Sequence, residues 1–195
     1  MKRKLFTLVA LMVLASNFSY AQRPIYIAFL WHMHQPIYWP GESVVQTINS
    51  NRYPFSVSDV FNSRTGPYTS WPNNAVRNGH NARLANFGAS VSFSGSLIEN
   101  LNTLQAAGRG YNNWRNDWNT SRGYLTARGN RRMDLIGFGY HHPLMPLLDS
   151  IDIRRQIRWH KQIFASNFNG PYSKGIFTPE NAFANHIIPA LKAEG

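Results

Sequence analysis

Four short segments carry side chains able to bind or transform a ligand. The first is Trp31-His32-Met33-His34-Gln35-Pro36, where an apolar run gives way abruptly to two histidines spaced two apart. On an extended chain that spacing puts both imidazoles on one side. Such a pair holds a metal or hydrogen-bonds a polar ligand, and it serves equally well to cap a strand. The second is Ser96-Leu97-Ile98-Glu99. It reads as a capping box, with Glu99 bonding back to the Ser96 amide, or as a carboxylate set in the first helical turn beside a site. The third, Tyr140-His141-His142-Pro143, again places histidines after an apolar run. The fourth is Thr178-Pro179-Glu180-Asn181. Pro179 fixes the backbone before Glu180. A stiffly held carboxylate suits a nucleophile or a general acid, whereas a lone loop glutamate otherwise ends in solvent.

Few other groups compete for these roles. The 195 residues hold nine Asp and Glu against 20 Lys and Arg, for a formal charge of +11. The glutamates are Glu42, Glu99, Glu180 and Glu194, and cysteine is absent, which excludes disulfides, thiolate metal sites and a catalytic thiol. With 43% apolar and 15% charged residues the chain has the balance of a globular core.

The elements that would position the four segments alternate. Pro24 to Trp31 (PIYIAFLW) suits a strand buried on both faces of a parallel sheet. Residues 37–71 read as a long loop and residues 73–86 as a helix weakened by Gly79. Ala89 to Ser94 (ASVSFS) alternates as a second strand. Leu97, Leu101 and Leu104 then recur at helical spacing, with Gly108 as the stop. Residues 110–132 are dense in Asn, Arg, Trp and Gly and read as a surface excursion. Its interleaved Trp114, Arg115, Trp118 and Arg122 would suit single-stranded nucleic acid or sugars, or would simply dock on the domain. Met133 to Tyr140 is a third strand. Asp152 to Asn167 is an amphipathic helix with Ile153, Ile157, His160 and Phe164 on one face. Gly175 to Thr178 reads as a fourth strand, and residues 187–194 as a last helix. The alternation predicts an α/β fold with a parallel sheet, in which sites gather at the carboxyl ends of strands.

Residues 1–21 read as a signal peptide. Lys2, Arg3 and Lys4 precede the apolar stretch Leu5–Ala15, and Ser19-Tyr20-Ala21 offers small residues for cleavage. Export is expected, to the periplasm or the medium, with residues 22–195 as the folded part. No later run is apolar enough to span a bilayer.

Taken together the segments resemble glycoside hydrolase family 57. IAFLWHMHQP is similar to the family's first motif, VSFSGSLIENL to its second, GYHHPLMPLL to the stretch before the third, and GIFTPENAFA to the third itself. The resemblance implies α-amylase or 4-α-glucanotransferase chemistry on the α-1,4 bonds of α-glucans, by a retaining double displacement in a (β/α)7 barrel. It implies Glu180 as the nucleophile. Glu99 and His32 would contact the donor sugar, with His34 supporting and His142 in the same pocket. It implies no metal and no cofactor. Thr178 and Asn181 depart from the family pattern, which favours an aromatic before the Pro-Glu pair and a small or Cys residue after it. The family's acid/base Asp belongs to a fourth motif beyond the nucleophile, so the chain is expected to hold the N-terminal part of a catalytic barrel and to be inactive by itself. Two other readings use the same residues: a metal-dependent hydrolase built on the His32/His34 pair, and a non-catalytic glycan-binding protein. A nucleic-acid role is not expected.

Overall fold

The computed structural model describes residues 25–195, so the expected leader at 1–21 lies outside the described residues. Three parallel strands lie in the order β1 (Leu30–Met33), β2 (Ala89–Phe93) and β3 (Met133–Ile136). Between β1 and β2 come α1 (Val44–Ser50), α2 (Val57–Asn62), α3 (Thr65–Thr69) and α4 (Trp71–Asn81). Helices α5 (Gly95–Ala106) and α6 (Arg115–Ser121) join β2 to β3, and α7 (Ser150–Ala165) and α8 (Ile188–Ala193) follow. The expected α/β class and parallel pairing are what the described residues show.

The alternation in β2 does two jobs. Val91 and Phe93 are buried on the side facing the helices, where the Phe93 ring meets Trp118 edge-on at 4.9 Å. Ser90 and Ser92 take the other side, and the register sets Ser92 between His32 of β1 and Ile136 of β3. Ser94 then ends the strand with extended backbone and caps α5, its Oγ accepting from the Leu97 amide at 3.2 Å. Leu97, Leu101 and Leu104, the residues at helical spacing, are buried together with Ile98. On α7, Ile153, Ile157, His160 and Phe164 are all buried, as their shared face required. The main core joins β2, β3 and α5 to Phe61, Trp114 and Trp118, and a smaller cluster holds Met145, Ile153, Ile157, Ile187 and Ala190.

Four expectations need correction. Residues 37–71 are not a loop: α1, α2 and α3 lie there, the first two begun by Ser43 and Ser56 caps, and Ser43 closes a full capping box with Gln46. Residues 110–132 are only in part a surface excursion: of the readings above, docking on the domain is the one that holds. Tyr111, Trp114, Trp118, Arg122 and Arg132 are buried. Arg122 donates to the Asn169 and Pro171 carbonyls, each at 2.8 Å, and Arg132 to those of Leu125 and Phe87. Burying aromatic area of that size is favourable. Spent on core packing and on loop carbonyls, these residues do not form a platform for nucleic-acid bases.

β1 starts later than its apolar run, and only one of its sides carries a partner strand among the described residues. Ile25, Tyr26 and Ile27 stay 90%, 78% and 76% exposed, so burial on both faces is not seen. The run extends beyond the reach of β2, whose pairing begins at Ser90, bonded to the Phe29 carbonyl at 3.1 Å. The fourth strand shrinks to one parallel bridge, Gly137 with Ile176, made by Gly137 N–H to the Gly175 carbonyl (2.8 Å) and Phe177 N–H to the Gly137 carbonyl (3.0 Å). Ser173 draws the chain aside just before it, donating to Asp134 at 2.9 Å and accepting from the Gly175 amide. Even this single bridge delivers Pro179 and Glu180 to the carboxyl end of the sheet.

Candidate active site

The strand ends assemble a cluster of three imidazoles and one carboxylate. His32 Nε2 lies 3.0 Å from His142 Nε2, and His142 Nε2 lies 3.3 Å from Glu180 Oε1. His34 stacks on His142 with ring centres 4.1 Å apart. Serines of β2 and its cap orient the first two rings. His32 Nδ1 is 2.8 Å from Ser92 Oγ, and His34 Nδ1 is 2.9 Å from Ser94 Oγ. Ser94 is in turn 3.1 Å from Ser96 Oγ, which donates to the Gln35 carbonyl at 2.7 Å. The same-side prediction for His32 and His34 thus holds, and the serine side of β2 is the reason both rings are fixed.

Phe138 and Phe177 stack on each other at 5.9 Å and close the apolar side of His32 at 5.2 and 5.4 Å. Burial lowers the His32 pKa, and the neighbouring His142 lowers it further, while Glu180 works in the opposite direction. His34 is pushed down to about 3, by burial first and then by the two adjacent imidazoles. Both rings are therefore neutral at physiological pH. A neutral imidazole both donates and accepts, which suits hydroxyl groups.

Glu180 sits in the single turn Pro179–Asn181 with φ 57° and ψ 22°, and Asn181 follows at φ 55°. Its neighbour His142 has φ 59°. Left-handed backbone costs a non-glycine residue about 1–2 kcal/mol, and such strain collects where structure serves a site. Here the two residues in direct contact at the rim are both so held. Pro179 is buried, whereas the Glu180 side chain is 66% exposed and points where a ligand could approach.

Glu99 behaves differently from the capping-box reading. Ser94, not Ser96, is the N-cap of α5, and the Ser96 amide donates to the Tyr140 carbonyl at 2.9 Å. Glu99 Oε2 instead accepts from the Tyr140 hydroxyl at 2.7 Å. That contact and burial raise the Tyr140 pKa far above its ordinary value. The structure brings together His32, His34, His142 and Glu180, and bonds Glu99 to Tyr140 instead.

Sequence reasoning placed His160 on a core face but did not see its use. Its Nε2 donates to the Phe93 carbonyl and its Nδ1 accepts from the Tyr172 hydroxyl, both at 2.6 Å. Tyr172 also accepts from the Phe138 amide at 3.3 Å. One buried imidazole therefore ties the ends of β2 and β3 under the cluster. Among the described residues no group of three His, Asp or Glu is placed to hold a metal ion, and no helix is long and apolar enough to cross a membrane.

A parallel α/β sheet here presents a strained glutamate against histidines at its carboxyl rim, an arrangement able to carry carboxylate chemistry. The comparisons narrow the class. The model of glycosyl hydrolase family 57 matches residues 28–195, and the chain belongs to that family. It is 32% identical over 142 residues to an α-amylase of Niallia circulans, a match that covers 68% of this chain and 11% of that protein. In fold it is similar to the 4-α-glucanotransferase of Thermococcus litoralis, with a TM-score of 0.59 at 17% identity. That alignment covers 89% of this chain and 22% of the other. The chain thus spans a small part of the length of each of these relatives.

Proposed function

We propose that this chain carries the nucleophile half of an α-glucan-active site that cleaves or transfers α-1,4-glucosidic bonds with retention. The observation that carries the reading is the strained Glu180 in contact with His142, within the span that matches the family. Glu180 would attack the anomeric carbon and form a covalent glycosyl ester. His32, His34 and His142 would bind the hydroxyls of the donor sugar, and Phe138 and Phe177 would support the His32 ring. No metal or cofactor enters the scheme.

Retention needs a second carboxylate about 5–5.5 Å from the nucleophile. The other eight acids of the chain are placed elsewhere. Glu42 pairs with Arg52, Glu99 with Tyr140, Asp134 with Ser173, and Glu194 with Arg154 and Arg158. Asp59, Asp117, Asp149 and Asp152 lie at the starts of helices. By the family resemblance the proton donor would be an Asp outside these residues. The basic and apolar leader supports export, which N-terminal sequencing of the protein from cells tests by showing Gln22 first.

An α-maltosyl fluoride tests the nucleophile separately from the donor, because fluoride leaves without protonation. Fluoride release is expected from the chain and is expected to vanish in Glu180→Gln. Equal release by both proteins contradicts the assignment.

A further inference from the structure

An open cavity of about 510 Å3 lies beyond Tyr140, walled by Glu99, Tyr140 and His141 on one side and by Trp159, Gln162 and Ser166 of α7 and its cap on the other. Its volume is in the range of small-molecule sites. The three α7 positions form one stripe, since residues three and seven apart share a helix face. Trp159 is 41% exposed, so its indole is open to a ligand. Tyr140 and His141 meet it edge-on, with ring centres 6.2 and 6.0 Å away. Those contacts fix the indole without covering it. Tyr140 takes one Glu99 oxygen and leaves the other without a hydrogen-bond partner among the described residues.

The charges around the cavity select the kind of ligand. The Arg155 guanidinium lies over the Trp159 ring at 5.9 Å from its centre, which disfavours a further cation there. The Glu99 carboxylate disfavours an anion. Burial lowers the His141 pKa, so that ring adds a neutral donor and acceptor. An exposed indole face with neighbouring carboxylate and amide groups fits an uncharged ligand with an apolar ring face and hydroxyl edges.

We propose that this cavity is a second sugar-binding site, in which a glucosyl unit stacks on Trp159 and bonds through its hydroxyls to Glu99 and Gln162. The inference rests on the glucan reading for its choice of sugar, and it puts the sugar contact of Glu99 here rather than at the Glu180 cluster. A chain engaged at both places would be held along the rim while its reacting bond lies at Glu180.

An NMR titration of the whole chain with maltotriose separates the two claims. The Trp159 indole N–H, assigned by its loss in Trp159→Ala, reports this cavity, and the His142 ring reports the cluster. Both signals are expected to shift. Glu99→Gln keeps the Tyr140 bond and is expected to weaken the indole response about tenfold, the loss of one charge-assisted hydrogen bond, with the His142 response unchanged. A shifting His142 ring with a silent indole overturns the second site and leaves the proposed function standing. A shifting indole with a silent His142 ring does the reverse. Silence at both overturns both.

Discussion

Replacing His160 with Leu should destabilise the fold in a pH-dependent way. At neutral pH His160→Leu leaves the buried Phe93 carbonyl without its 2.6 Å donor and the Tyr172 hydroxyl without its acceptor. An unpaired buried polar group costs about 1–3 kcal/mol, so the two together cost about 2–6 kcal/mol. Acid works on the wild type through the same residue. Burial holds the His160 pKa down at about 4, against 6.5 for the free group. The folded state therefore takes up a proton less readily than the unfolded state. The contribution of His160 is complete above pH 6.5, declines as pH falls below that value, and is exhausted as pH passes through about 4. Between pH 7.5 and 5 the loss amounts to about 2 kcal/mol. His160→Leu cannot lose this share, so the gap between variant and wild type should shrink by about 2 kcal/mol at pH 5. Urea unfolding at the two pH values measures the gap directly. Parallel pH profiles for the two proteins, or a cost below about 0.5 kcal/mol at neutral pH, would refute the role given to this imidazole.

Other consequences are as easily checked. Trp118→Ala should cost about 3–5 kcal/mol in denaturant unfolding, as for any fully buried large aromatic, whereas a surface tryptophan would lose almost nothing. Ser94→Ala removes the α5 cap and the His34 partner together and should cost about 1–2 kcal/mol, visible as a lowered melting temperature. Glu180→Gly should fold at least as stably as the wild type by thermal melting, because glycine relieves the left-handed backbone, while losing fluoride release altogether.

Most of the site was legible because its residues lie in short segments whose local order fixes their direction. His32 and His34 share a side by strand geometry alone, and Glu180 follows a proline that fixes its approach. What holds them in place was less legible. Ser92 and Ser94 look like ordinary alternating polar residues until the register brings them under His32 and His34. The left-handed turns at His142 and Glu180 carry no glycine to announce them. Of the two readings of Glu99, the capping box fails because Ser94, not Ser96, is the N-cap of α5. The docking of residues 110–132 stayed one reading among several because core aromatics there recur without a clean helical or strand period. Their burial depends on Phe93 and Phe168, far away in sequence. Composition describes such a stretch as polar, while its few aromatics decide where it goes.

The account turns on Glu180 as the group that bonds to the sugar. Intact-mass analysis of the chain after exposure to α-maltosyl fluoride tests this most directly. The account predicts a stable gain of one maltosyl unit, mapped by peptide fragmentation to Glu180 and absent from Glu180→Gln. An adduct on any other residue, or one that persists in Glu180→Gln, would contradict it.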